Sequence, residues 1–338
     1  MTKPVRVGII GAGSNTRARH IPGFQSIGGV SIETICNRSA HSSQQVADQA
    51  GVPRIASHWQ EVVEDPEIDA VMIGTWPYLH AAASIAALEA GKHVLCEARM
   101  AMNLTEAEAM LAAAASRPDL VAQVVPSPFT LQWDRYLTRI IREGVIGTVL
   151  NVDVYANCAG FADAARPLTW REQREYSGLN TMMLGIYYEA LARWLGHAET
   201  VEATGRVFVP QRSDARGAVH ELEIPDHLDV FGTLESGASY HIRCSQVTGA
   251  CPTPNDFLMY GENGTLRLNL SENTCTLHRK DGATESLLPP KEEQESWRVE
   301  AEFIGAIRSE ETVRLTSFAD GVRYMAFTQR ALESAGMA

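Results

Sequence analysis

Hydrophobic residues in the first third of the chain form short runs, which alternate with longer segments of mixed polarity. Mostly apolar runs with a β-branched bias are typical of strands buried in a parallel sheet. The segments between them have the composition of helices, and one of them, residues 80–90, stops at Gly91. This alternation predicts an α/β fold, a doubly wound parallel sheet with helices on both faces. The runs are residues 5–10, 30–36, 68–74, 92–96 and 120–125.

Beyond residue 124, polar and apolar residues alternate along longer stretches, as in strands with one face in the core. Asn263-Gly264 and Asp281-Gly282 separate such stretches and predict hairpin turns. We therefore expect a Rossmann domain at 1–124 and, at 125–338, a C-terminal α/β domain with a large, mostly antiparallel open sheet for substrate binding and oligomerisation. Its predicted strands are 149–155, 201–209, 227–234, 239–246, 257–260, 265–269 and 274–278, and its predicted helices are 132–143, 181–195, 300–308 and 320–334.

Length, charge and cysteine usage narrow the class of protein. The 338 residues exceed the ~250 to 300 at which a single hydrophobic core usually stops growing, so we expect two domains. A net charge of −12 argues against a nucleic-acid partner. The apolar runs are far shorter than the ~20 residues of a membrane helix and no signal-peptide pattern is present, so we expect a cytoplasmic protein without a membrane partner. The six cysteines lack a C-x-x-C pair, so we expect neither disulfides nor a metal site.

The segment GAGSNT, starting at Gly11, joins the first predicted strand to the first predicted helix. Gly11 permits a tight turn, and Gly13 lets the backbone approach a pyrophosphate at the helix N-terminus. We expect the backbone around Ser14 and Asn15 to bind this anion. The third glycine of the dinucleotide fingerprint is replaced by Thr16, so the match is incomplete, but its place between a strand and a helix favours a dinucleotide site.

The loop after the second predicted strand bears on the choice of cofactor. An NAD enzyme usually has an acidic residue there, which accepts hydrogen bonds from the adenosine ribose, but this chain has Asn37-Arg38-Ser39. Arginine pairs well with a 2′-phosphate, so NADP(H) is preferred as the cofactor. NAD(H) stays open, because Arg38 in a solvated loop is the alternative.

Four further segments resemble the glucose-fructose oxidoreductase, inositol dehydrogenase and MocA (Gfo/Idh/MocA) family. They are residues 75–80 (TWPYLH), 87–97 (ALEAGKHVLCE), 143–147 (EGVIG) and 193–197 (RWLGH). The resemblance covers nearly the whole chain and implies a Rossmann domain, a second domain with an open sheet, and redox chemistry on sugars, polyols and related compounds. It also implies cofactor contacts from Thr75, Trp76, His80 and Glu97. For His80, a capping or packing role is an open alternative.

The family usually assembles into dimers or tetramers, and the resemblance implies the same here. A long uncovered sheet edge is a liability for a single chain. We therefore expect a homodimer or a homotetramer whose partner covers the large sheet.

Three polar groups that are usual in the family are missing. The family has Lys-Pro where this chain has Ala98-Arg99, and the family's catalytic aspartate and histidine fall on Met183 and Tyr187. The loss matters because hydride transfer needs a partner for the hydroxyl proton, and general acid-base help is worth about 10²- to 10⁴-fold in rate. A cis bond at Ala98-Arg99 would cost about 2.5 to 4 kcal/mol, so we expect a trans bond there.

Tyr187 is the first candidate for the missing catalytic group, because a phenol can donate a proton to a carbonyl oxygen. A nearby cation such as Arg99 would lower the pKa of Tyr187, and the pair would favour reduction. The alternatives are that Tyr187 and its neighbour Tyr188 simply pack in the amphipathic helix 181–195 and that Arg99 forms a surface salt bridge.

The irregular stretch before this helix is where the family builds substrate contacts. Trp170 and Arg171, together with Tyr188, are our candidates for substrate binding. Arginines in this stretch, which include Arg166 and Arg174, suit a carboxylated or phosphorylated substrate through bidentate pairing. A solvated charged loop is the alternative.

Three functions stay open on sequence grounds. The leading one is an NADP(H)-dependent oxidoreductase that acts on a sugar-like, polyol or small carbonyl substrate. The second is a hydrolase or lyase that oxidises and reduces its bound nicotinamide in turn, without net consumption. The third is a non-catalytic protein that binds NADP(H) or a sugar. Net nicotinamide consumption separates the first from the second, and turnover separates both from the third.

Overall fold

The computed structural model describes residues 4–158, 162–248, 251–252 and 255–338, which form two compact units. Unit 1 consists of the described residues in Met1–Pro126 and Arg298–Met325, and unit 2 of those in Ser127–Trp297 and Ala326–Ala338. The first division is close to the expected domain boundary after residue 124. The segment Arg298–Met325, which the sequence assigned to the second domain, groups with unit 1.

Strands and helices are numbered in chain order. The strands are β1 (Val5–Ile10), β2 (Val30–Cys36), β3 (Arg54–Ile55), β4 (Ala70–Ile73), β5 (His93–Cys96), β6 (Ala122–Val124), β7 (Val149–Asn157), β8 (Glu202–Arg206), β9 (Gln211–Ser213), β10 (Val219–Glu221), β11 (His227–Thr233), β12 (Ser239–Ser245), β13 (Asn255–Gly261), β14 (Gly264–Asn269), β15 (Thr274–Arg279) and β16 (Thr284–Leu287). The helices are α1 (Ile21–Gln25), α2 (Ala40–Ala50), α3 (Trp59–Glu64), α4 (His80–Glu89), α5 (Leu104–Ala115), α6 (Leu131–Arg142), α7 (Arg174–Ser177), α8 (Leu184–Leu195), α9 (Val299–Ile307) and α10 (Phe318–Ser334). A π-helical turn, Thr16–His20, leads directly into α1.

Unit 1 is built on a parallel sheet with strand order β3-β2-β1-β4-β5-β6, which confirms the predicted doubly wound fold. The strands read as buried are buried, since Val7, Ile9, Val71 and Leu95 are fully shielded from solvent. The prediction missed β3, because its two residues are both exposed and form no hydrophobic run. The carboxyl ends of β1, β2, β4 and β5 lie along one edge of this sheet, where α/β proteins bind their ligands.

Two helices of unit 1 illustrate how local and distant residues fix their positions. Helix α5 has Asn103 as its N-cap, and the Oδ1 of Asn103 accepts the amide of Glu106 at 2.9 Å. Helix α9 joins unit 1 because its apolar side packs there, with Phe303 edge-to-face against Phe24 at 6.4 Å. The sequence did not predict this contact, because Phe24 and Phe303 lie far apart in the chain.

Unit 2 contains an eight-stranded sheet with strand order β16-β15-β14-β13-β7-β12-β11-β8. Adjacent strands in this sheet are antiparallel, except that β7 and β12 run parallel to each other. The expected mostly antiparallel sheet is therefore confirmed. The parallel pair arises because β7 lies in the middle of the sheet, between two strands that follow it much later in the chain. Alternate residues such as Val152 and Ile242 face the core, whereas Asp153 and His241 lie on the opposite, polar face.

Strands β9 and β10 form a separate antiparallel pair in unit 2. Within the described ranges, no helix has both the length and the apolar character required to cross a membrane.

Candidate functional site

The turn after β1 requires its first glycine. Gly11 has a φ of +85°, and a Cβ on it would lie 2.7 Å from the backbone nitrogen of Thr75, so no side chain fits. Gly13, Ser14 and Asn15 are exposed at the start of the helical segment that follows. This tight turn places a helix N-terminus, the positive end of the helix dipole, at the carboxyl edge of the sheet, as a diphosphate requires.

Thr16, at the position of the missing third glycine, is accommodated by a glycine on the neighbouring strand end. Its Oγ1 donates to the carbonyl oxygen of Gly11 at 3.1 Å, so the hydroxyl ties the turn together. A Cβ on Gly74 would collide with Thr16 Oγ1, and therefore Gly74 supplies the space that the third glycine usually provides. Thr16 therefore fits at this position because the residue at the end of β4 is a glycine.

The side chain of Asn37 forms hydrogen bonds within the turn, and its oxygen is therefore already occupied and does not accept from a ribose in this arrangement. Its Oδ1 accepts the amide of Ala12 at 2.6 Å, and its Nδ2 donates to the carbonyl oxygen and the hydroxyl of Ser42 at 3.1 and 3.0 Å. Ser39 is the N-cap of α2 and accepts the amide of Ser42 at 3.3 Å. Of the three loop residues predicted to bind the cofactor, Arg38 is therefore the one with an exposed side chain free of such a bond network.

Arg38 lies beside two aromatic residues that follow β4. Its guanidinium carbon is 5.4 Å from the ring centroid of Trp76, and Trp76 meets Tyr78 edge-to-face at 6.5 Å. Tyr78 is 44% exposed. The structure thus joins the predicted residues Arg38 and Trp76 in a cationic and aromatic surface, which suits a base and an anionic phosphate.

Glu97, directly after β5, contacts the dinucleotide turn through Asn15. Asn15 Nδ2 donates to Glu97 Oε1, and the amide of Ala98 donates to Glu97 Oε2 at 3.1 Å. The same Oε1 lies 3.1 Å from His20 Nε2. Burial would raise the pKa of Glu97, but hydrogen bonds from His20 and Asn15 outweigh it and hold this pKa below its usual range. Sequence reasoning placed Asn15 and Glu97 at the cofactor but missed His20.

The thermal stability of the protein is expected to fall as the pH rises from about 6.5 to about 9. Burial alone would lower the pKa of His20, but hydrogen bonds to Glu300 and Glu97 raise it from 6.5 to about 9. The folded state holds this proton more tightly than the unfolded state, so the stabilisation is complete below pH 6.5 and is lost as the pH passes 9. Unfolding midpoints followed by circular dichroism across this range test the prediction. A His20→Gln variant should lack most of this slope, and equal slopes in the two proteins would contradict it.

The peptide bond between Ala98 and Arg99 is cis, so the expected trans bond is wrong. The expectation considered the dipeptide alone, whereas its neighbours are fixed by the fold. The carbonyl oxygen of Arg99 accepts from His80 Nδ1 at 3.0 Å, and the amide of Met100 donates to the hydroxyl of Tyr324 at 2.6 Å. Arg99 itself is 9% exposed and lies over the ring of Tyr324 at 4.7 Å, which argues against a surface salt bridge.

His80 is fully buried and ties two strand ends together. Its Nε2 lies 3.0 Å from the carbonyl oxygen of Thr75, and its Nδ1 is bonded to the carbonyl of Arg99. Burial lowers the pKa of His80. With both ring nitrogens facing the backbone, this placement favours the packing alternative over a direct cofactor contact.

Tyr187 lies in α8 of unit 2 and is 4% exposed. Its hydroxyl donates to Asn255 Oδ1 at 2.7 Å, and its ring stacks on Phe257 at 5.5 Å. Burial raises the pKa of Tyr187, the opposite of the shift expected from a neighbouring cation. The phenol therefore stays protonated at neutral pH, and Asn255, which sequence reasoning missed, fixes its direction.

Tyr188 and the RWLGH segment belong to the interior of unit 2. Tyr188 is 2% exposed, stacks on Phe327 at 3.6 Å and accepts the amide of Ala198 at 3.0 Å, which favours packing over substrate binding. Arg193 binds the carboxylates of Asp134 and Glu189. This part of the motif is a buried ion-pair network.

The arginines of the irregular stretch have different surroundings. Arg166 pairs with the buried Glu172, and Arg174 donates to the carbonyl oxygen of Met337 at 2.7 Å. Arg171 is exposed, with its guanidinium 4.4 Å above the ring of Trp170. Of the predicted substrate residues, Trp170 and Arg171 are thus adjacent and accessible, whereas Tyr188 is not.

Two family models match this chain. Residues 5–124 match the oxidoreductase family with an NAD-binding Rossmann fold, and residues 135–267 match the GFO/IDH/MocA C-terminal domain.

Similar proteins and structures point the same way. Levoglucosan dehydrogenase of Pseudarthrobacter phenanthrenivorans is 29% identical over 245 residues, which are 69% of this chain and 63% of that protein. Trans-1,2-dihydrobenzene-1,2-diol dehydrogenase of Danio rerio is 25% identical over 70% of this chain and 66% of its own length. The chain therefore spans less than two thirds of these curated relatives. A levoglucosan dehydrogenase structure in complex with NADH and levoglucosan has a TM-score of 0.87 at 22% identity and covers 99% of this chain and 98% of that one, which establishes the likeness of fold.

Proposed function

Since this chain belongs to the Gfo/Idh/MocA family of oxidoreductases, we propose that it is an NADP(H)-dependent oxidoreductase acting on a sugar-like, polyol or small carbonyl substrate. The observation that carries the proposal is the turn after β1. A tight bend at Gly11, where no side chain fits, presents Gly13, Ser14 and Asn15 at the start of a helical segment. The names of the relatives, which include a sugar dehydrogenase, support the substrate class.

The cofactor proposal rests on Arg38. No acidic residue follows β2 in the loop 37–39, and the side-chain oxygen of Asn37 is already bonded to Ala12, so nothing in this loop repels a 2′-phosphate. The exposed guanidinium beside Trp76 can pair with that phosphate while the adenine contacts the aromatic ring. The structural neighbour's complex contains NADH, which keeps NAD(H) as the competing cofactor.

Replacing Arg38 by alanine is expected to weaken NADP⁺ binding about 10- to 100-fold, because a charge-assisted hydrogen bond contributes about 1.5 to 3 kcal/mol. The affinity for NAD⁺ should change less than about threefold, since NAD⁺ lacks the 2′-phosphate. Calorimetric titration of both dinucleotides measures the two effects. Arg54→Ala is the control, because Arg54 is also exposed in unit 1 but pairs with Asp65. Equal losses for NADP⁺ and NAD⁺ would remove the case for NADP(H).

In the reductive direction, a reduced nicotinamide held at the glycine turn would supply the hydride. The hydroxyl of Tyr187, which donates to Asn255 Oδ1 in this structure, would instead donate its proton to the carbonyl oxygen of the substrate and would then regain a proton from water. The raised pKa keeps Tyr187 in the protonated form that the reductive direction requires, and it also makes the phenol a weaker acid than one with a pKa near neutrality. Arg99, which is 9% exposed over the ring of Tyr324 and follows β5, is the second proposed catalytic residue, and its guanidinium would pair with a substrate oxygen or carboxylate.

The experiment that tests the function is a nicotinamide absorbance assay over a panel of sugars, polyols and keto compounds. Net oxidation of NADPH with an equal amount of carbonyl reduced, or the reverse, is the expected result. Product formation without net nicotinamide consumption would instead support a hydrolase or lyase. Saturable dinucleotide binding with no turnover on the panel would support a non-catalytic protein.

A homodimer or homotetramer is part of the proposal. The polar face of the large sheet carries the exposed Phe231 together with opposite charges, such as Asp229 and Arg243, so a second copy can meet it with matching groups. Light scattering of the purified protein should give two or four times the mass of one chain. A single-chain mass at micromolar concentration would contradict the assembly and leave the redox proposal untouched.

A further inference from the structure

Three ionisable side chains form a continuous chain inside unit 1. His20 Nδ1 lies 2.5 Å from Glu300 Oε1, and His20 Nε2 lies 3.1 Å from Glu97 Oε1. The side-chain exposure is 0% for His20, 4% for Glu300 and 14% for Glu97. We call these residues the His20 cluster. Glu97 is its end nearest to solvent and to the dinucleotide turn, through Asn15.

The geometry fixes the charge of this cluster. Both ring nitrogens of His20 face carboxylate oxygens, so each nitrogen–oxygen contact needs a hydrogen. Either His20 carries both protons and both glutamates are ionised, or one proton sits on a glutamate and the ring is neutral. The two arrangements contain the same number of protons and the same net charge, −1, and they titrate as one unit.

The residues around the cluster leave room for its carboxylates and donate hydrogen bonds to them. A Cβ on Gly23 would lie 2.6 Å from Glu300 Oε2, so the glycine makes the room in which the second carboxylate sits. At the other end, Asn15 and the amide of Ala98 donate to Glu97. A salt bridge between His20 and Glu97 alone would not require the second carboxylate, that of Glu300. Burying this second carboxylate costs free energy, so its presence calls for an explanation.

The position of the cluster indicates which part of a dinucleotide it faces. In a doubly wound sheet of this order, the diphosphate lies at the helix after β1 and the adenosine lies toward the end of β2. The nicotinamide half then lies toward β4 and β5. Glu97 follows β5 directly, so the exposed end of the anion is on the nicotinamide side.

We propose that Glu300, His20 and Glu97 act together as one buried anion that favours the oxidised, positively charged nicotinamide over the neutral, reduced one. This inference rests on the proposed dinucleotide function and adds a role for His20 and Glu300. Both are positioning residues, because they act through Glu97. The effect is on relative affinity, and therefore on the reduction potential of the bound cofactor.

The Glu300→Gln variant tests the inference without touching Glu97. With His20 protonated against Glu97, it changes the net charge of the cluster from −1 to zero while keeping the shape of the side chain. The ratio of the dissociation constants, Kd for NADP⁺ over Kd for NADPH, should rise about three- to tenfold, because the oxidised nicotinamide loses the attraction of one negative charge. Fluorescence and calorimetric titrations near pH 6.5 give both constants without any turnover.

Glu302→Gln is the matched control. Glu302 is on the same helix, α9, and is 2% exposed, but it accepts from Gln123 Nε2 and from the amides of Arg314 and Leu315. Its loss should lower stability and leave the affinity ratio within twofold of the native value. If Glu300→Gln also leaves the ratio within twofold, the cluster is structural only and the inference is overturned. If Glu300→Gln does not fold, Glu97→Gln must raise the ratio in the same direction.

Nitrogen-15 NMR of histidine-labelled protein provides a readout that needs no cofactor. At neutral pH, His20 should show ring nitrogens bonded to shared protons and should not titrate near pH 6.5. A neutral His20 that titrates normally would overturn the inference. Absence of binding for both dinucleotides to the native protein would overturn the proposed function, and the inference with it, whatever the NMR result.

Discussion

Replacing Tyr187 by phenylalanine is expected to lower kcat for carbonyl reduction about 10²- to 10⁴-fold, the range that general acid catalysis supplies. The variant removes one hydroxyl and keeps the ring that stacks on Phe257, so unit 2 should keep its packing. The loss of the hydrogen bond to Asn255 should cost about 1 kcal/mol of stability. Steady-state and single-turnover assays on the substrate found in the panel measure the effect.

Dinucleotide affinity and a control variant distinguish a catalytic role of Tyr187 from a structural one. Dinucleotide affinity should be unchanged in Tyr187→Phe, because the glycine turn belongs to unit 1. Tyr240→Phe is the control, since Tyr240 is 2% exposed in unit 2 and also donates one hydrogen bond, to the carbonyl of Thr200 at 2.9 Å. It should keep kcat within about threefold while losing similar stability. If both variants retain near-native kcat, Tyr187 is a packing residue and the proton comes from elsewhere.

Replacing Arg193 by leucine is expected to lower the free energy of unfolding by about 3 to 5 kcal/mol, the usual cost of breaking a buried ion pair. Arg193 binds Asp134 and Glu189 and donates to the carbonyl oxygen of Ser127 at 2.8 Å. The two carboxylates are 6% and 7% exposed, so without Arg193 they are left as buried and uncompensated charges. Urea unfolding monitored by tryptophan fluorescence measures the change.

Arg139→Leu is the comparison for this variant. Arg139 also binds two carboxylates, Glu143 and Glu293, but its side chain is 40% exposed. Exposed pairs contribute about 0 to 1 kcal/mol, so this variant should remain close to the native stability. Similar small losses in both variants would show that the Arg193 network contributes no more than a surface pair.

The candidate site was only partly predictable from the sequence. Gly11, Arg38 and Glu97 were found because each follows a strand, and the ends of parallel strands share one edge of the sheet. His20 and Asn255 were missed, because neither lies in a recognisable motif. Their roles come from partners far away in the chain, since Glu300 is 280 residues from His20 and Asn255 is 68 residues from Tyr187.

The α/β architecture of unit 1, the mostly antiparallel sheet of unit 2 and the glycine turn after β1 were predictable from local sequence patterns. Strand runs, helix ends and glycine turns are properties of contiguous residues, which is why β1 and β2 have the predicted bounds. The cis bond at Arg99, the grouping of Arg298–Met325 with unit 1, and the raised pKa values of His20 and Tyr187 follow from tertiary packing. These depend on burial and on hydrogen-bond partners, which exist only after distant segments of the chain have packed together.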